Sequence, residues 1–396
     1  MIFSLPFHIT RYFRPTFLEV FHLSNAALGD IFAVYGVTAM LAYFPGGPIA
    51  DRFTARKLMT LSLLTTAMGG FYLASSPGIT GLTLLFGYWG ITSILLFWSA
   101  LIRTTREWGG QLAQGEAFGL LEGGRGLVAA CAASLTVMLF STVMPTDISA
   151  VNDQQRSQAL NTVIYSYTLL TLAAGVLTWC LVPETGSNHT NSASASLAGI
   201  RKILGQPVAW LQSVIVICAY CGYKGLDNYS LYAVDVLAMN EVESAGFSSI
   251  AAYLRPLAAV AAGFLVDRFS ASKGIACAFI VLTISYGLLA GFSPTSLAAS
   301  IIYFNLIVTF IAVFSLRGIY FALLEETNVK RSLTGTAVGL ISVIGFTPDV
   351  FFYPLAGRLL DTSPGVTGHQ HFFLLLTIIA ITGMLATIIL SRTIKK

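Results

Sequence analysis

The chain has 396 residues, 55% of them hydrophobic and only 10% charged, with a net charge of +4 and a mean hydropathy of +0.76. Soluble globular domains carry about 25% charged residues, so this composition excludes a water-soluble fold of this size. Lipid must solvate most of the surface, and backbone polar groups in lipid must be satisfied internally, by helices or by a closed barrel.

Barrel strands alternate in units of about ten residues, whereas apolar runs here reach about twenty, so the spans are predicted to be helices. In chain order, an apolar stretch within residues 1–22 gives a partial first helix. Full spans follow at 28–50, 57–76, 80–102, 117–144, 160–182, 208–230, 245–266, 274–292, 296–324, 333–357 and 371–391. The polar segment 183–206, with its Ser/Asn-rich GSNHTNSASAS and amphipathic LAGIRKILG, reads as a cytoplasmic linker lying on the membrane surface. It separates an N-terminal helix bundle at 1–182 from a C-terminal bundle at 207–396. Asn188-His189-Thr190 has a glycosylation pattern but falls in that cytoplasmic segment. Cys131, Cys180, Cys218, Cys221 and Cys277 all sit in apolar stretches and read as small packing residues. The opening residues lack the basic region and cleavage site of a signal peptide.

Placing 51–57 in the cytoplasm puts Arg52, Arg56, Lys57, Arg103, Arg106, Arg201, Lys202, Arg268, Lys273, Lys330, Arg331, Arg392, Lys395 and Lys396 on that side. Arg11, Arg14, Arg156 and Arg358 fall on the other. That asymmetry satisfies the positive-inside rule and puts the C-terminus in the cytoplasm.

GPIADRFTARK from Gly47 and GFLVDRFSASK from Gly263 match at six of eleven positions, 216 residues apart. Duplicated halves are typical of secondary carriers. The same offset carries the start of the span at 208 to a point before Met1, so the first helix is expected to lack roughly two turns.

Gly47-x-x-x-Asp51-Arg52-x-x-x-Arg56-Lys57 resembles the signature loop of the major facilitator superfamily, and Gly263, Asp267 and Arg268 form its second copy. The family form has a glycine and a further basic residue where Thr54 and Ala55 stand. The resemblance implies an all-α polytopic membrane fold of two pseudo-symmetric six-helix bundles. It also implies that this loop acts as a gate. Physically, Gly47 permits close helix approach, Asp51 suits a helix N-terminus, and Arg52 can cap carbonyl ends.

Charges inside the membrane cost on the order of 2.5–3.5 kcal/mol each and demand a reason. Here they are Glu122, Arg125, Lys224, Asp227, Arg255, Arg317 and Asp349. Counting the partial helix as one, spans three, six, nine and twelve carry none in their interiors, and in the family these are the outer helices. Glu122 with Arg125, and Lys224 with Asp227, have the three-residue spacing of one helix face. The offset aligns His8 with Lys224 and Arg11 with Asp227. A basic group at one height on helices one and seven is similar to the organic-phosphate exchangers of the family.

The excess of bases favours an anionic substrate: a carboxylate, phosphate or sulfonate. His8, Arg11, Arg125, Lys224, Arg255, Arg317 and Tyr223 are the expected substrate ligands, and Glu122, Asp349 and Asp227 the expected proton carriers. Gln114-Gly115-x-x-Phe118-Gly119-x-x-Glu122-x-Gly124-Arg125-Gly126 and Thr334-Gly335-x-Ala337 look like a branch of bacterial permeases, one encoded among sulfosugar-utilisation genes. A drug–proton exporter would carry Gly-Pro in helix five, where Gly123-Gly124-Arg125 stands. A carrier fold acting only as a sensor is the remaining alternative. No nucleophile–base pair, phosphate loop or His/Cys cluster points to an enzyme, cofactor or metal. The partners expected are the anion, protons or a counter-anion, and the bilayer of a bacterial inner membrane. No nucleic acid is expected, and the chain should work as a monomer.

Overall fold

The computed structural model describes residues 2–109, 114–145, 151–184, 201, 203–268, 270–292, 298–326 and 334–394. Every regular element among the described residues is helical. Short 3₁₀ turns at Ile2–Phe7 and Ile9–Arg11 open the chain. There follow α1 (Arg14–Val20), α2 (Asn25–Arg52), α3 (Ala55–Leu73), α4 (Ile79–Ile91), α5 (Ser99–Gly109), α6 (Gln114–Val143) and α7 (Asp153–Leu181). After the linker come α8 (Pro207–Gly225), α9 (Tyr229–Asp235), α10 (Glu241–Ala251), α11 (Leu254–Arg268), α12 (Ala271–Gly291), α13 (Ala299–Ile319), α14 (Leu323–Glu326), α15 (Thr334–Gly345), α16 (Pro348–Thr362) and α17 (Val366–Ile394).

Among the described residues, 9 helical stretches are long and apolar enough to cross a membrane. The spans predicted at 57–76 and 208–230 are represented by α3 and α8, each of 19 residues. Most of the predicted linker, including Asn188, Lys202 and the amphipathic piece before Arg201, lies outside the described residues, as do Lys330, Arg331, Lys395 and Lys396.

Several predicted spans are interrupted rather than continuous. The span at 208–230 stops at Gly225, passes through a 3₁₀ turn at Leu226–Asn228 and resumes as α9. The span at 245–266 breaks between Ala251 and Leu254, and that at 333–357 between Gly345 and Pro348. Pro348 at the start of α16 supplies no backbone N–H, which makes it a natural first-turn residue and a poor interior one. Between α4 and α5 the chain runs as a π-helix over Thr92–Trp98, a geometry associated with functional positions.

Contacts divide the chain into two compact units, which do not follow the linker. One contains Met1–Thr190, Asp227–Tyr253 and Tyr353–Gly357; the other contains Asn191–Leu226, Leu254–Phe352 and Arg358–Lys396. The first unit buries Phe7, Phe86, Trp89, Phe140 and Tyr167 completely, and the Trp89 indole donates to Thr66 O at 3.0 Å. Its segment 353–357 meets α2 backbone to backbone. A Cβ on Gly29 would collide with the Tyr353 carbonyl, and one on Gly357 with the Asn25 carbonyl. Glycine is required at both crossings.

The second unit packs α12 against α17 around Phe279, Tyr286 and Phe372, all fully buried. The Glu326 carboxylate accepts from the Ala271 and Ser272 N–H groups, capping α12 with negative charge at its positive end. Large apolar side chains such as Phe44, Leu84, Phe264 and Phe304 are about 70% exposed, as lipid-facing residues should be.

Candidate functional site

The helix interruptions place the charges. In the second unit Lys224 lies in the last turn of α8 and Arg317 in the last turn of α13, while Asp349 lies in the first turn of α16. Each sign suits its helix end, cations at exposed carbonyls and the anion at exposed N–H groups. Arg255 breaks that rule. It sits in the first turn of α11, where its charge adds to the positive end of the helix.

These side chains converge on two stacked tyrosines, Tyr220 and Tyr223, whose ring centres are 6.1 Å apart. The Arg317 guanidinium lies 4.2 Å from the Tyr223 ring centre and 5.7 Å from that of Tyr220. Arg255 lies 5.7 Å from Tyr223, and the Lys224 ammonium 5.1 Å from Tyr220. Lys224 Nζ pairs with Asp349 Oδ1 at 2.6 Å, and the Tyr220 hydroxyl donates to Asp349 Oδ2 at 2.9 Å. Lys224, Tyr223 and Arg255 are buried, and Arg317 is half-buried. Three bases and one carboxylate thus share an aromatic platform, with the carboxylate already engaged on two sides.

The first unit holds a second polar centre. Arg11 Nε donates to Asp227 Oδ1, and the Tyr353 hydroxyl donates to Asp227 Oδ2. Arg11 and Asp227 are both buried, so each charge is balanced by the other. His8, one turn before Arg11, is half-buried and its Nδ1 lies 3.1 Å from Ser4 O. The Arg125 guanidinium rests 5.2 Å from the ring centre of Trp98, the last π-helical residue. Farther along, Glu241 accepts from Arg156 at 2.8 Å and from the Thr16 hydroxyl.

A family model described as the Major Facilitator Superfamily matches residues 1–346. The chain belongs to that superfamily. An Escherichia coli inner membrane protein, YqcE, is 28% identical over 363 residues, covering 89% of this chain and 83% of that protein. A second from the same organism, YihN, is 26% identical over 409 residues, covering 100% of this chain and 93% of the relative. Among solved structures, a bacterial homologue of the human lysosomal transporter Spinster, inward-facing and unoccupied, superposes with a TM-score of 0.77. It shares 14% identity and covers 99% of this chain and 95% of its own.

For this major facilitator protein, the signature loop begins at the end of α2, where Arg52 is the final helical residue. Arg103 on α5 donates to the Ala50 carbonyl at 2.6 Å and pairs with Glu107 at 2.7 Å, so it caps the end of α2. Arg56 and Lys57 pair with Glu184 just past α7. In the second copy, Arg268 ends α11. The side chains of Gly47, Asp51, Glu122 and Asp267 lie outside the described residues, and so do those of 114–119 and 334–338.

The expectation that Lys224 and Asp227 share one α-helical face needs correction. The α-helix ends at Gly225, and the two residues make their ion pairs with Asp349 and Arg11. Gly225 was the available signal for that stop. Arg14 is buried, its guanidinium donating to Asn25 Oδ1 at 3.0 and 3.2 Å. Sequence reasoning also missed Tyr353. It is uncharged, and only its position four residues after Asp349 hints at a role.

Proposed function

We propose that this protein is a secondary active transporter that moves a small organic anion across the inner membrane by alternating access, in proton symport or anion exchange. The observation that carries the reading is the convergence of Lys224, Arg255 and Arg317 on Tyr220 and Tyr223 with Asp349 as their counter-charge. Guanidinium groups bind carboxylate, phosphate and sulfonate oxygens through paired hydrogen bonds, and the positive end of α11 adds to the pull.

The Lys224–Asp349 pair gives the coupling its logic. With Asp349 ionised, Lys224 is satisfied and the site is closed to a second anion. A proton on Asp349 leaves Lys224 a buried cation without its counter-ion, a state costing several kcal/mol. An entering anion relieves that cost, so proton and substrate load together. In exchange, Asp349 keeps its proton while one anion leaves and another arrives, so no net proton crosses the membrane. Asp227 and Glu122 are the further candidates to carry a proton, and Arg125, Arg11 and His8 the further candidates to contact substrate. The names of the Escherichia coli relatives support the inner membrane. The lysine and arginine asymmetry supports a cytoplasmic C-terminus. The carrier works as a monomer.

The test is a thermal-shift screen of carboxylates, phosphates, sulfonates and organic cations on detergent-purified protein. An anion should raise the unfolding midpoint of wild type and fail to do so for Arg317→Ala. Stabilisation by organic cations alone would replace this reading with drug efflux.

A further inference from the structure

In the first unit α3 and α7 pack side by side, and a groove of about 460 Å³ runs between them, lined by Lys57, Thr60, Leu61, Leu64, Val176 and Trp179. Its floor is tight, because a Cβ on Gly175 would come within 3.2 Å of the Leu64 side chain. Its rims are open: Leu61, Val176 and Trp179 are each about half exposed. In a polytopic membrane protein that exposure is to lipid, so the groove is apolar and opens to the bilayer.

One end of the groove is charged. Lys57 Nζ lies 3.0 Å from Glu184 Oε1, and Arg56 lies 3.1 Å from Oε2 of the same carboxylate. The Arg56 guanidinium also covers the Trp179 ring at 4.6 Å, tying the charged end to the groove wall. Two cations therefore converge on one oxyanion, and the oxyanion they hold is an exposed side chain beyond the end of α7. Lys57, then Arg56, keeps that carboxyl below its ordinary pKa, so it is ionised at neutral pH.

We infer that this groove binds one anionic phospholipid, its acyl chain lying between α3 and α7 and its phosphate taking the place of Glu184 at Arg56 and Lys57. The apolar lining selects a chain, the basic pair selects a negative headgroup, and Glu184 acts as the competitor that the lipid displaces. The site is independent of the substrate reading and survives its failure.

The test is native mass spectrometry of the purified full chain given equal amounts of phosphatidylglycerol and phosphatidylcholine with matched chains. Wild type should retain phosphatidylglycerol selectively. Lys57→Gln should lower that retention about fivefold, the contribution of one surface lysine. Leu61→Trp, which fills the groove without altering charge, should lower it as well, whereas Glu184→Gln should raise it. Equal retention of the two lipids by wild type overturns the proposal. So does a Leu61→Trp variant that keeps full selectivity, since a basic surface alone would then suffice. Displacement of the lipid by soluble glycerol phosphate would also overturn it, by showing that the chain contributes nothing.

Discussion

Asp227 accepts the Arg11 guanidinium across 216 residues of sequence, the same interval that separates Asp51 from Asp267. Positions equivalent in the two repeats therefore touch. Their surroundings agree: a 3₁₀ turn at Ile9–Arg11 precedes α1, and one at Leu226–Asn228 precedes α9. Both copies set a charged side chain in a 3₁₀ turn just before a short α-helix. One copy supplies the cation and the other the anion.

That pair is buried, so removing one member is expected to cost more than removing both. Asp227→Asn leaves the Arg11 charge without its carboxylate and should destabilise the protein by about 3–5 kcal/mol. Arg11→Gln combined with Asp227→Asn should lose less than Asp227→Asn alone. Unfolding midpoints of the single and double variants in one detergent check this. Additive losses would mean that the two side chains act separately.

The close crossing of α2 and segment 353–357 gives a second expectation. Gly29→Ala would press a methyl group into the Tyr353 carbonyl and should cost about 1–3 kcal/mol or more. Gly123→Ala, where a Cβ meets nothing within 4 Å, should be neutral or slightly stabilising through helix propensity. Thermal unfolding of the two variants separates them. Equal behaviour would show that the crossing can relax.

Much of this architecture can be read directly from the chain. Low charge, long apolar runs and the repeated Gly47 and Gly263 loops suffice for an all-α membrane protein of the superfamily, because lipid leaves the backbone few options. The charged residues of the second-unit site are visible for the same reason, since Lys224, Arg255, Arg317 and Asp349 are conspicuous in hydrocarbon. Their pairing is not visible. Whether Lys224 meets Asp227 or Asp349 depends on where α8 ends, and hydropathy averages over a 3₁₀ turn without registering it. Uncharged partners such as Tyr353, and caps such as Arg103 on the Ala50 carbonyl, depend on tertiary contacts that no periodicity encodes.

The Lys224–Asp349 pair carries the coupling argument, so the most direct measurement is anion flux in proteoliposomes containing wild type or Asp349→Asn. The probe is the anion giving the largest thermal shift. Wild type should concentrate it against a gradient when the pH difference is imposed, and should also exchange it across the membrane without one. Asp349→Asn should lose the concentrative uptake while keeping exchange. Concentrative uptake by Asp349→Asn equal to wild type would contradict the account.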